Sequence, residues 1–126
     1  MGYPRAYSLK GCVDEIVEEC HGRSKGAGWW DDTDLQDRHV FPAKLALVHS
    51  EVSEAMEGHR KGLMDDHLPH RPMAEVELAD AMIRIADLAG AYGFDLGGAL
   101  VEKLEYNAKR ADHKKENRES TGGKAY

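Results

Sequence analysis

The chain has 126 residues, of which 41% are hydrophobic and 32% are charged, and its formal net charge is −6. Length and composition are typical of one globular domain. The acidic balance argues against nucleic acid as a main partner, because binding its phosphates needs a surplus of Lys and Arg. The chain begins without the apolar segment of a leader and has no apolar run of membrane-spanning length. We therefore expect a cytoplasmic protein that does not enter membranes.

Hydrophobic periodicity predicts four helices with short links and no strands. They are expected to run from Ser8 to about Gly22, from about Pro42 to between Gly58 and Gly62, from about Met73 to Tyr92, and from Asp95 to about Arg110. Residues 1–112 should therefore form a single all-α domain, a four-helix bundle. Residues 113–126 are polar and are predicted to be a disordered tail.

Two pairs of acids lie on these helices, Glu51 with Glu54 and Glu77 with Asp80. A separation of three residues places both members of a pair on one helix face. Spacing alone does not decide their role, because acids are frequent in this chain. The expected apolar face of the second helix comprises Leu45, Val48, Val52, Ala55 and Met56, and it places Glu51 at the border of the core.

The third helix gives the stronger signal. Its polar residues Glu77, Asp80, Arg84 and Asp87 form one narrow stripe, and the rest of its circumference is almost entirely apolar, so we expect it to be buried on several sides. Buried carboxylates need cations. Oxygen ligands favour Mg²⁺ or Mn²⁺ over Zn²⁺. The four acids are thus predicted metal ligands, and a structural network of salt bridges is the alternative.

Two further groups complete the predicted site. Lys103, Asn107 and Arg110 share the side of the fourth helix that carries its leucines, where they would suit the phosphate oxygens of a ligand or extend to solvent at the edge of the bundle. Trp29 and Trp30, in a glycine-rich loop, would either stack on a nucleobase or anchor the loop to the core. The seven histidines are scattered and are expected to be solvated.

Residues 44–57, 76–89 and 102–110 together resemble the MazG-like all-α nucleoside triphosphate pyrophosphohydrolases. The resemblance rests on Glu-x-x-Glu, then Glu-x-x-Asp, then Lys-x-x-x-Asn-x-x-Arg, and it extends over roughly residues 25–113. It implies a metal site at the four acids, phosphate contacts by the Lys, Asn and Arg, and a nucleotide-binding role for the tryptophans. In many members Lys-Gly directly precedes the aromatic pair, whereas here Ala27 and Gly28 intervene.

The resemblance also implies an activity, the Mg²⁺-dependent cleavage of a nucleoside triphosphate to the monophosphate and pyrophosphate, with Glu51 or Glu54 activating the water. It further implies a homodimer or homotetramer and a role in nucleotide-pool housekeeping. Two other functions stay open. One is a non-catalytic helical module that binds a nucleotide or a protein. The other, more remote, is a ferritin-like di-metal oxidase, although such bundles need Glu-x-x-His on two helices and only Glu18 with His21 fits.

Overall fold

A computed structural model of the protein describes residues 8–110 and 115–124. The regular structure in these ranges is helical, and one isolated bridge between Met64 and Pro72 is their only β-type pairing. The helices are α1 (Leu9–Gly26), α2 (Val40–Lys61), α3 (Met73–Ala91), α4 (Leu96–Lys109) and the short α5 (Lys115–Arg118). The all-α prediction is confirmed, and four long helices in this order are consistent with a helical bundle.

The chain divides into two compact units, which are described separately. One is Glu15–Phe94, which contains most of α1 and all of α2 and α3. The other consists of the described residues of Met1–Asp14 and Asp95–Tyr126. Within the predicted tail the structure describes α5, while positions 113, 114, 125 and 126 lie outside the described residues. None of the helices described is both long and apolar enough to cross a membrane.

Local side-chain chemistry sets the helix ends close to the predicted positions. Ser8 Oγ accepts a hydrogen bond from the backbone N–H of Gly11 at 3.0 Å, and Asp95 Oδ1 accepts one from that of Gly98 at 2.9 Å. Both are N-terminal capping contacts, made by the two residues at which the sequence predicts these helices to begin. At the end of α2, Gly62 adopts φ 62°, a left-handed conformation that glycine reaches without steric cost. The main difference is that α1 continues one turn beyond Gly22, to Gly26.

Helices α2 and α3 pack against each other through small residues and acids. The buried residues of α2 are Glu51, Ala55 and Gly58, and those of α3 are Glu77, Ala81, Ala86, Leu88 and Ala89. A Cβ added to Gly58 would lie 2.7 Å from Cγ of Met73, so this glycine permits the close approach of the chain at the start of α3.

The predicted burial of the larger apolar side chains is wrong for this chain taken alone. In the expected face of α2, Val52 is 48% and Met56 is 61% exposed, because the face that packs on α3 is centred on Glu51 and Ala55 instead. Helix α3 is not buried on several sides, since Leu78 and Met82 are each 57% exposed. The close contact of α2 with α3 thus favours acids and alanines over bulky residues.

Candidate metal centre and adjoining cleft

Three carboxylates from α2 and α3 meet in one cluster. One oxygen atom from each of Glu51, Glu77 and Asp80 lies within 4.8 Å of the others, a spacing at which they could hold a metal ion. Glu51 and Glu77 are only 7% and 8% exposed, because they occupy the packed face between the two helices. We call these three residues the carboxylate cluster.

The cluster lacks the partners that buried acids normally have. Oε2 of Glu51 and Oε2 of Glu77 are both buried, and neither has a hydrogen-bond partner among the described residues. The other oxygen of Glu51, Oε1, accepts a hydrogen bond from Nε of Arg84 at 2.7 Å. A single guanidinium cannot neutralise three carboxylates, and each unpaired buried charge is strongly destabilising. The arrangement therefore calls for a proton or a cation.

The pKa values show where a proton stays when no cation is bound. Only a protonated Glu77 can donate a hydrogen bond to Glu51, and this hydrogen bond, together with burial, raises the pKa of Glu77 to about 8. Burial would raise the pKa of Glu51, but hydrogen bonds with Glu77 and Arg84 outweigh it, and this pKa is lowered. Burial and the nearby charge of Glu51 raise the pKa of Asp80. Glu77 thus keeps a proton at neutral pH, as expected of closely spaced acids.

Glu54, the fourth predicted ligand, lies at the edge of the cluster. Its side chain is exposed, and it is not one of the three residues whose oxygens group within 4.8 Å. It nevertheless interacts electrostatically with both Glu51 and Glu77, and it contributes to the raised pKa of Glu77. The structure therefore brings three of the predicted ligands into close contact and places Glu54 beside them.

A cleft of about 640 Å³ adjoins the carboxylate cluster, which contributes Glu51 and Asp80 to its wall. The rest of the wall combines three cations, two tryptophans, Asp87 and small or apolar residues. The lining residues other than Glu51 and Asp80 are Arg23, Ser24, Ala27, Trp29, Trp30, Lys44, Leu47, Ile83, Arg84, Asp87 and Leu88. Both tryptophans singled out in the sequence thus line the same cleft as the predicted metal ligands.

The two tryptophans differ in how firmly they are held. Trp30 donates a hydrogen bond from Nε1 to Oδ1 of Asp87 at 2.8 Å, and Nζ of Lys44 lies 4.5 Å from its ring centroid. His21 meets the ring of Trp30 edge-on, with centroids 5.9 Å apart. Trp29, by contrast, is 71% exposed. Trp29 therefore has more aromatic surface available to a ligand than Trp30 has.

His21 contradicts the prediction that the histidines are solvated. Its side chain is 22% exposed, and its Nδ1 lies 2.9 Å from Oδ1 of Asp87. Because an ionised carboxylate only accepts hydrogen bonds, this contact assigns the proton to Nδ1. Asp87 therefore accepts hydrogen bonds from His21 and Trp30 on the same oxygen. Trp29, Trp30 and Asp87 line the cleft, and His21 supports them through its contacts with Trp30 and Asp87. We call these four residues the aromatic end of the cleft.

The predicted phosphate-contacting residues lie in the other unit, on α4 and its C-cap. Nζ of Lys103 is 4.7 Å and Cζ of Arg110 is 5.9 Å from the ring centroid of Tyr106. A long hydrogen bond of 3.5 Å connects Nη1 of Arg110 with Oδ1 of Asn107. Lys103 and Arg110 therefore lie beside one exposed tyrosine of their own unit, Asn107 contacts Arg110, and the contact of these three residues with phosphate stays a prediction.

Sequence reasoning missed several residues of the cleft. Lys44 precedes Glu51 by seven residues, and Asp87 follows Asp80 by seven, so each lies two turns from an acid on nearly the same helix face. This seven-residue spacing indicates that Lys44 and Asp87 lie on the same side of their helices as the predicted metal ligands. The positions of Arg23 and His21 depend on where α1 packs, which no local pattern specifies.

Comparisons of the chain with protein-family models, with curated proteins and with solved structures found no match. The family resemblance therefore stays a prediction that rests on the motifs of this sequence.

Proposed function

We propose that the protein is a Mg²⁺-dependent nucleoside triphosphate pyrophosphohydrolase that converts (d)NTP to (d)NMP and pyrophosphate. The observation that carries the proposal is a pair of buried oxygens, Oε2 of Glu51 and Oε2 of Glu77, that find no partner in the described part of the chain and adjoin a cleft lined by cations and tryptophans. Acids without partners fit a divalent cation. Cations and aromatic rings in the same cleft fit phosphates and a base.

The donor set fits Mg²⁺, with Mn²⁺ as a substitute. Glu51, Glu77 and Asp80 supply carboxylate oxygens only, the ligands that these hard ions prefer. When bound, the ion would neutralise phosphate charge and acidify a coordinated water. Because Glu54 is exposed at the edge of the cluster, it is suited to accept a proton from the attacking water, and Glu51 is the other candidate.

The remaining steps use the cations of the cleft. The water would attack the α-phosphorus, the bond between the α-phosphorus and the bridging oxygen would break, and pyrophosphate would leave with the bonding electrons. Arg84 and Lys44 line the cleft and are placed to offset the charge of the phosphates. The resemblance assigns the same task to Lys103, Asn107 and Arg110. Trp29 would stack on the base.

Exposed apolar residues on α2 and α3 support a homodimer or homotetramer as part of this proposal. Val52, Met56, Leu78 and Met82 are each about half exposed or more, at 48%, 61%, 57% and 57%. Soluble proteins seldom leave many large apolar side chains uncovered, and association of identical chains is a common way to bury them.

The test is a panel of ribo- and deoxynucleoside triphosphates with Mg²⁺, in which both pyrophosphate and the monophosphate are measured. The proposal predicts equal amounts of both products, with no turnover when the divalent cation is removed by a chelator. Release of inorganic phosphate in place of pyrophosphate would contradict the reaction. Binding of nucleotides without turnover would favour the non-catalytic module, and iron bound to the purified protein would favour the di-metal oxidase.

A further inference from the structure

The geometry of α3 indicates how a nucleotide would lie in the cleft, given the proposed function. Asp80 and Asp87 both line the cleft and are seven residues apart, with Arg84 between them. At 1.5 Å per residue this separation is about 10 Å along the helix axis. If the phosphates lie at Asp80 and Arg84, the base is directed towards the aromatic end, where Trp29 and Asp87 are.

Asp87 has one oxygen engaged and one available. Oδ1 accepts the hydrogen bonds from Nε1 of Trp30 at 2.8 Å and from Nδ1 of His21 at 2.9 Å. Among the described residues, none donates a hydrogen bond to Oδ2. The side chain is only 19% exposed, and the residue lines the cleft. Two donors on Oδ1 fix the carboxylate in place and leave Oδ2 as an oriented acceptor.

We propose that Asp87 recognises the base and that Oδ2 accepts a hydrogen bond from an exocyclic amino group. This inference rests on the proposed function and adds a substrate class to it, nucleotides whose base carries an amino group. A carboxylate has no proton to donate, so a base with a keto oxygen at that position would leave two acceptors facing each other. Polar sites of this kind discriminate strongly, because the wrong ligand leaves buried groups unpaired.

Two matched pairs of substrates test the proposal, dCTP against dUTP and dATP against dITP. Within each pair the amino group is replaced by a keto oxygen at the same ring position. We expect kcat/KM to favour the amino-bearing member of at least one pair by roughly tenfold to a hundredfold, the range of a hydrogen bond to a charged group. Equal kcat/KM within both pairs would overturn the proposal.

The variant Asp87→Asn separates recognition from a structural role. Its amide oxygen still accepts from Trp30 and His21, but its NH₂ group now faces the base, so the preference should shrink at least tenfold or reverse. If Asp87 only holds Trp30 in place, both members of a pair should lose activity by the same factor, and this outcome would also overturn the proposal.

Glu75→Gln is the control, because Glu75 is on α3, is exposed, and pairs with Arg71 away from the cleft. Glu75→Gln should keep the wild-type ratio of kcat/KM values within each substrate pair. Should Asp87→Asn fail to fold, the wild-type ratios alone decide the matter. Failure of the proposed function is a different result, since no nucleotide would then release pyrophosphate, whereas failure of this inference leaves hydrolysis intact but indifferent to the amino group.

Discussion

The two ends of the cleft differ in whether their polar side chains have hydrogen-bond partners. In the carboxylate cluster, Oε2 of Glu51 and Oε2 of Glu77 are buried, and residues 8–110 and 115–124 supply no hydrogen-bond partner to either. At the aromatic end, Asp87 accepts two hydrogen bonds, and Trp30 is held by Asp87, His21 and Lys44. One end is electrostatically incomplete, while the other is already ordered before any ligand binds.

This difference indicates two kinds of binding. An incomplete cluster gains stability when an ion of opposite charge enters, so its affinity comes from the relief of buried repulsion. An ordered end gains little stability from the ligand, but its fixed groups select among ligands. We therefore expect changes at the carboxylate cluster to alter metal binding and turnover, and changes at the aromatic end to alter affinity and selectivity.

The largest effect is expected from neutralising a metal ligand, Asp80, or the proposed proton acceptor, Glu54. Asp80→Asn, and likewise Glu54→Gln, should lower kcat/KM for triphosphate hydrolysis by at least about 10³-fold, because both the charge of the phosphates and the attacking water depend on the bound ion. Steady-state pyrophosphate release measures kcat/KM, and circular dichroism shows whether each variant stays folded. Glu75→Gln on α3 is the matched control and should remain active. Near-normal activity in either variant would refute its assigned role.

The second effect concerns the stability of the metal-free protein. The pKa of Glu77 is raised from 4.5 to about 8, so the folded state retains a proton that the unfolded chain loses above pH 4.5. This contribution to the free energy of unfolding is complete below pH 4.5 and is lost as the pH rises to about 8. At pH 8.5 without a cation Glu77 is ionised and its buried charge destabilises the folded state, so Glu77→Gln, which removes this charge, should raise the melting temperature in chelator by roughly 5 °C or more.

The same experiment is informative with the ion present. At pH 8.5, added Mg²⁺ should raise the melting temperature of the wild-type protein and leave that of Glu77→Gln nearly unchanged. A variant whose melting curves match the wild type from pH 5 to 9 would show that Glu77 is not the site of the retained proton.

The third effect separates the tryptophans. Trp29→Ala should weaken nucleotide binding by roughly 5- to 100-fold, the range for loss of one stacked base, with little change in melting temperature, because its ring is 71% exposed. Trp30→Ala should lower the melting temperature as well, since it removes a hydrogen bond and an aromatic contact. Fluorescence titration and thermal unfolding measure the two quantities. Identical behaviour of the two variants would contradict the distinction.

The smallest effect is expected at the glycine that permits the ordering of the aromatic end. A Cβ added at Gly90 would lie 2.5 Å from Cβ of His21, so Gly90→Ala must displace α1 or α3 and should lower the melting temperature by a few degrees. Gly22→Ala is the comparison, because no described residue outside the surrounding turn of α1 comes within 4 Å of its added Cβ. It should be neutral or stabilising by up to about 1 kcal/mol, the gain in helix propensity. Equal melting temperatures would contradict the close packing.

The sequence predicts what depends on local chemistry. Capping residues such as Ser8 and Asp95, and the left-handed Gly62, determine helix ends within a turn or less. The polar stripe on α3 predicts that Glu77 and Asp80 are shielded from solvent, and Glu77 is buried while Asp80 is half-buried, although α3 is not covered on several sides as expected. The grouping of Glu51 with these two acids is also as predicted, although Glu51 is buried in the contact between α2 and α3 rather than at the border of the expected apolar face.

Tertiary packing accounts for what the sequence did not predict. The buried face of α2 consists of Glu51, Ala55 and Gly58, while Val52 and Met56 are exposed, because close helix contact depends on side-chain size as well as on hydrophobicity. His21 contacts Asp87 across 66 positions of sequence, a separation at which no periodicity operates.

The most direct test of the metal centre is a titration of the protein with Mn²⁺, with the free ion measured by electron paramagnetic resonance. We predict saturable binding of at least one Mn²⁺ per chain, competition by Mg²⁺, and loss of that binding in both Glu77→Gln and Asp80→Asn while Glu75→Gln retains it. A wild-type protein that binds no Mn²⁺, or variants that bind it as the wild type does, would contradict the assignment of the carboxylate cluster as a metal centre.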